Sequence, residues 1–171
     1  MNEYLEEIKK ALDNKLYLIA LQSCLIIPDI CSALQANNGK TSGNKYKKWY
    51  QKYFKNVYDY NLEPEDCYLF RCSMIHQGKT IPTPQDNQEA MYSRIIFLYP
   101  NQTICMHNNI FNDVLNLDLV TFCNDMIKSA ESWNKEMIQT SNKNYLKNAD
   151  NLISIHPNGI EPYICGFPVI G

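Results

Sequence analysis

Apolar positions recur at helical spacing along most of the chain. In residues 2–13, Leu5, Ile8 and Leu12 lie three and four apart among charged neighbours, which predicts a polar first helix. The run from Leu16 to Leu34 is apolar on nearly every side and predicts a largely buried helix. Pro28 inside it predicts a kink or a break, because it has no amide hydrogen and crowds the preceding turn. "NNGKTSGN" (37–44) reads as a polar loop. In "KYKKWYQKYF", Tyr46, Trp49, Tyr50, Tyr53 and Phe54 can share one helical face, while Lys45, Lys48, Lys52 and Lys55 take the other. Such a lysine face suits plain solvation or contact with RNA.

The stretch "LEPEDCYLFRCSMIHQGKT" (62–80) follows. Pro64 suits a first helical turn, Glu65 and Asp66 favour the positive end of the dipole, and Gly78 suits the stop. "KTIPTPQDNQE" (79–89) reads as a loop interrupted by two prolines. Residues 92–109 hold two short β-prone runs around Pro100 and Asn101, which predicts a hairpin. From 116 to 137 a helical stripe returns in Leu119, Phe122, Cys123, Met126, Ile127, Ala130 and Trp133. A weaker helix over 144–156 and an irregular tail from about 157 to 171 complete the chain. The expected fold is mainly α: one domain, 1–171, of about five helices with a small β-hairpin inserted before the helix at 116–137.

The length of 171 residues suits a single core. A net charge of −2 provides no broad attraction for nucleic acid, so a polyanion would have to be gripped at one local site. The seven cysteines form no CxxC pair, and several lie in apolar runs. They read as reduced thiols, with no metal site and no cofactor. The N-terminus has no apolar signal core. "LYLIALQSCLIIP" is shorter than a bilayer span of about 20 residues, so a soluble cytoplasmic protein is expected, with no membrane partner.

Arg71 is one of two arginines beside fourteen lysines. Its placement in an apolar helix suggests a need for the planar guanidinium. His76 lies in the last turn, where the helix dipole favours an imidazolium. Five residues advance an α-helix by about 500° and about 7.5 Å, so the two do not share a stripe. They meet only if the helix tightens, or if two copies face each other across a two-fold axis. Two other readings stand beside a catalytic one. In one, Arg71 pairs with Asp29 or Asp66 as a buried ion pair that fixes helix register, giving a non-catalytic bundle that dimerises and binds a ligand, nucleotide or protein partner. Alternatively Cys72, four residues before His76, supplies a thiolate nucleophile.

An arginine, four intervening residues and a histidine late in a helix of a mainly helical chain resembles the HEPN superfamily. "DCYLFRCSMIHQG" is also similar to a group of small bacterial proteins in which "YSRIIF", "HNNI" and "FCNDM" recur. The resemblance implies a metal-independent endoribonuclease acting on single-stranded RNA as a homodimer, in stress response or phage defence, with an antitoxin protein as a partner. Arg71 and His76 would be catalytic, and Ser73, Gln77, Lys79 and Asn108 would contact substrate. Cys72 departs from the family pattern, where a polar residue often follows the arginine; this bears on catalysis more than on fold.

Overall fold

The computed structural model describes residues 1–80, 91–100 and 106–171. It is mostly helical, with small sheets. Helix α1 (Asn2–Asp13) buries only Leu5 and Ile8 and leaves its charged residues in water. Helix α2 (Tyr17–Gln35) is its opposite. Ala20, Leu21, Cys24, Leu25, Ile27, Cys31 and Leu34 are all buried, and α1 packs along it. No break occurs at Pro28; the helix continues through this buried residue to Gln35. By length and composition α2 could cross a membrane, yet over half of that window is packed inside the protein.

Helix α3 (Gly43–Tyr50) starts at Ser42, whose hydroxyl accepts from the Lys45 amide at 3.4 Å. It passes into a π-helical turn, Gln51–Lys55, and one further α turn, Asn56–Tyr58. The aromatic face expected for this segment is the buried one: Tyr46, Trp49, Tyr50 and Phe54 are enclosed. The two tyrosine hydroxyls have partners, as burial requires. Tyr46 donates to the Leu25 carbonyl at 3.0 Å and Tyr50 to the Leu62 carbonyl at 3.1 Å. Helix α4 (Pro64–Gln77) then packs on both α2 and α3.

The expected hairpin around Pro100 and Asn101 is corrected by the strand pairing. Strand β1 (Arg94–Leu98) pairs in parallel with β3 (Val114–Asp118), from Arg94 opposite Val114 to Leu98 opposite Asp118. The hairpin lies later, between β2 (Asn109–Phe111) and β3. Its turn residues Asn112 and Asp113 both have positive φ, the geometry that suits a two-residue hairpin loop. The proline-rich loop expected over 79–89 lies, from residue 81 on, outside the described residues, as do residues 101–105.

Helix α5 (Leu119–Gln139) starts with its apolar stripe at Leu119, three residues later than the expected 116. Residues 116–118 belong to β3, and the Asp118 carboxylate caps the helix by accepting from the Thr121 amide at 2.8 Å. Helix α6 (Lys143–Ala149) is shorter than expected. The segment after it is not irregular: β4 (Ile155–His156) pairs with β7 (Val169–Ile170), and β5 (Gly159–Ile160) with β6 (Ile164–Cys165). Two-residue ladders are too short for an alternating pattern to reveal. The six described cysteines are free thiols, five of them buried.

Phe54, within the π turn, is fully buried and touches the rings of Tyr50, Tyr58, Tyr60 and Phe122, with centroids 4.5–5.7 Å away. Phe54→Ala is expected to cost about 3–5 kcal/mol, the range for removing a buried aromatic ring. Urea denaturation measures this; a loss below about 1 kcal/mol would mean that the π turn and α5 do not meet through this ring.

Candidate functional site

Helix α4 carries the candidate chemistry. Pro64 begins it, Glu65 and Asp66 occupy the first turn, and Gly78 ends it at φ 65°, a conformation that costs glycine little. The Gly78 amide donates to Met74 O at 3.1 Å and that of Lys79 to Ser73 O at 3.1 Å. Most side chains from Asp66 to Met74 are buried, whereas Ile75 through Thr80 are exposed. The helix therefore leaves the core one residue before His76. Gly43, at the start of α3, lets α4 come close: a Cβ there would meet the Tyr68 ring at 2.9 Å.

Arg71 sits where the enclosed and exposed parts of α4 meet. Its side chain retains only 15% of its accessible surface, and Nη2 forms an ion pair with Asp29 Oδ2. Asp29, the sole charged residue of α2, keeps 12% of its side-chain surface. Its other oxygen accepts from the Thr41 hydroxyl at 3.2 Å, and Thr41 is 2.7 Å from the Ser32 hydroxyl. Burial lifts the Asp29 carboxyl above its ordinary range, against the opposing pull of Arg71, Thr41 and His76. Burial presses hardest on Arg71, toward lower pKa, but the charge of Asp29 together with Cys72 and the hydrogen bonds to both holds the guanidinium above its usual value.

The other arm of the guanidinium points to the exposed end of the helix. Nη1 lies 3.3 Å from His76 Nε2 and 3.7 Å from Cys72 Sγ. A guanidinium only donates, so a hydrogen bond here has Nε2 as its acceptor. The five-residue spacing had suggested that one chain could join the pair only if the helix tightened. The helix stays α-helical through Gln77, and the length of the arginine side chain closes the gap instead. The Tyr68 ring centroid is 6.0 Å from Arg71 Cζ, at the edge of cation–π reach.

The remaining candidates separate cleanly. Asp66 does not pair with Arg71; its Oδ1 accepts from the Met91 amide at 2.9 Å, near the opposite end of α4. Gln77 and Lys79 share the exposed end with His76. Ser73 is 2% exposed, so its side chain faces protein and not a substrate surface. Asn108 is a turn residue at φ 55°, with Oδ1 accepting from the Asn61 amide at 2.6 Å and Nδ2 donating to Asp59 O at 3.0 Å. It pins the loop before α4, about 18 Å of helix rise from His76. His107 is also structural, accepting from the Asp118 amide at 3.1 Å while burial lowers its pKa.

Thr41 and Ser32 escaped the sequence reading. The signal that could have found them is Asp29 itself, since a carboxylate in an apolar helix needs hydroxyl or cationic partners nearby. Among the described residues no cluster of three histidine, cysteine or acidic side chains is arranged to hold a metal ion. The chain matches no family model, no curated protein and no solved structure.

The geometry divides stability from surface chemistry. Arg71→Ala strands a mostly buried carboxylate and is expected to cost about 3 kcal/mol, the lower end for breaking a buried pair. Adding Asp29→Ala should recover part of that loss, so a double-mutant cycle read by urea denaturation yields a clear coupling energy. His76→Ala, at an exposed position, should stay within about 0.5 kcal/mol of the parent. Strict additivity of the two core substitutions would remove the ion pair as a structural element.

Proposed function

We propose that the protein is a metal-independent endoribonuclease of HEPN type acting on single-stranded RNA. The observation that carries this reading is the 3.3 Å approach of the Arg71 guanidinium to the His76 imidazole at the exposed end of α4. The substrate supplies its own nucleophile. The ribose 2′-oxygen attacks the adjacent phosphorus while His76 Nε2, freed from Arg71 by the incoming phosphate, takes the hydroxyl proton. A phosphorane forms and its extra negative charge is met by Arg71. The bond to the 5′-oxygen then breaks and that oxygen is protonated, leaving a 2′,3′-cyclic phosphate and a 5′-hydroxyl. In a homodimer the two His76 side chains would divide the base and acid roles.

Asp29 has a definite part in this mechanism. By holding Nη2 it fixes the guanidinium plane and leaves Nη1 facing the histidine, so Asp29 acts as a positioning residue. Gln77 and Lys79, on the same exposed end, supply further polar contacts to the strand. An antitoxin partner and a role in stress response or phage defence belong to the same reading and rest on the motif alone.

One observation favours a second reading. Arg71 already spends a charge on Asp29 and is mostly buried, as expected of an ion pair that sets the register of α2 against α4. In that case the bundle is a non-catalytic dimeric module, and His76 is a surface residue beside its ligand or partner.

Incubation of the purified protein with single-stranded RNA in EDTA separates the two. The nuclease should release cyclic-phosphate ends, spare DNA of the same sequence, and lose at least ~10²-fold in rate on His76→Ala. Arg71→Lys, which retains a cation for Asp29 but not the forked donor, should slow cutting without unfolding the protein. Cleavage that persists undiminished in the His76→Ala protein would assign the activity elsewhere and end the proposal. RNA left intact by a folded, dimeric wild-type protein would favour the binding module.

A further inference from the structure

We propose that the cavity between α2 and the lysine face of α3 grips the phosphodiester backbone of the RNA strand whose reacting phosphate lies at Arg71 and His76. The inference deepens the ribonuclease reading and takes the identity of the polyanion from it. The cavity has a volume of about 350 Å³, and its walls include Ser32 and Gln35 of α2 with Lys45, Lys48, Lys52 and Tyr53. The lysines follow one another by three and four residues, so they form a single stripe across α3 and the π turn. Among the described residues no acidic side chain lines the cavity.

The charge of that stripe is little compensated. Lys45 Nζ is held by two neutral acceptors, Lys40 O at 2.6 Å and Asn38 Oδ1 at 3.3 Å. Lys48 is exposed, and its ammonium has no hydrogen bond or ion pair among the described residues. Lys52 meets Glu136 at 3.3 Å, an exposed surface pair that contributes little and that a phosphate can displace. A chain with a net charge of −2 attracts RNA only through such a local concentration of like charge.

Two further observations point to an occupant. Trp49 also lines the cavity, is 3% exposed, and has an indole N–H without an acceptor among the described residues. A buried donor left unpaired costs free energy that an incoming oxygen relieves. Tyr53 is only partly buried and offers a ring edge to a base, with Lys52 Nζ 4.4 Å from its centroid. The cavity is also tied to the catalytic candidates. Ser32 in its wall bonds Thr41, Thr41 bonds Asp29, and Asp29 pairs with Arg71. A strand seated on the lysines therefore lies against the same relay that orients the guanidinium.

The test is fluorescence anisotropy with a short, unstructured, labelled RNA, in the His76→Ala background so that the strand remains whole. Lys48→Ala with Lys52→Ala should weaken binding about tenfold or more and reduce the salt slope by about 1.4, two single-strand phosphate contacts at about 0.7 each. Lys48→Arg should retain affinity, and Lys128→Ala with Lys135→Ala on α5 should leave it unchanged. Unaltered affinity and slope in the Lys48/Lys52 variant would overturn the cavity while leaving RNA cutting by the wild type in place. An equal loss in the α5 variant would also overturn it. Lysine-dependent binding by a wild-type protein that cuts no RNA would retain the cavity and remove the nuclease reading.

Discussion

Helix α2 has to be surrounded, and most of the architecture answers that demand. Tyr17–Gln35 carries a single charge in nineteen residues, so leaving it in water would expose apolar surface on almost every side. Helices α1, α3, α4, α5 and α6 all pack against it. Enclosure creates a difficulty at one point, because Asp29 is drawn out of water with its neighbours. The difficulty is resolved by Arg71 and Thr41, which approach from two other segments. The ion pair thus ties the central helix to α4, and the hydroxyl ties it to the loop before α3. From the fixed rotation of α4 follows the placement of His76 just outside the core.

The arrangement gives one guanidinium two neighbours of different character. Toward the interior it faces a carboxylate in a poorly hydrated setting; toward the surface it faces an imidazole open to water. Removing Arg71 therefore disturbs both fold and surface at once, whereas removing His76 disturbs the surface alone. Loss of a function on changing the arginine is by itself weak testimony about chemistry. The histidine is the cleaner probe.

The helices were legible in the sequence where burial is one-sided. Leu5 and Ile8 in α1, and the stripe from Leu119 to Trp133 in α5, recur at 3.6-residue spacing because only one face meets the core. The start of α5 was misplaced because Leu115 and Leu117 alternate with Asn116 as a strand does, and the apolar signal runs on without a gap. "SRIIFL" was readable as β-prone, but its parallel partner at 114–118 is a long-range choice that no local pattern encodes. At the candidate site, Arg71, His76 and Asp29 stood out by chemistry. Asp29 was one of two partners open to the arginine, but the meeting of Arg71 with His76 in one chain was not foreseen, since helix rotation tracks backbone positions and takes no account of how far an arginine reaches. Ser32 and Thr41 carried no signal of their own, being small hydroxyl residues in unremarkable surroundings.

Asp29 has a consequence that begins before folding is complete. A nascent segment as apolar as α2 competes for insertion by the translocon, and an aspartate near a helix centre raises the insertion free energy by roughly 2.5–3.5 kcal/mol. The carboxylate that the finished protein must neutralise with an arginine is thus also a mark against lateral escape into lipid during synthesis. A more comfortable core, with leucine at that position, would be built from a more ambiguous polypeptide.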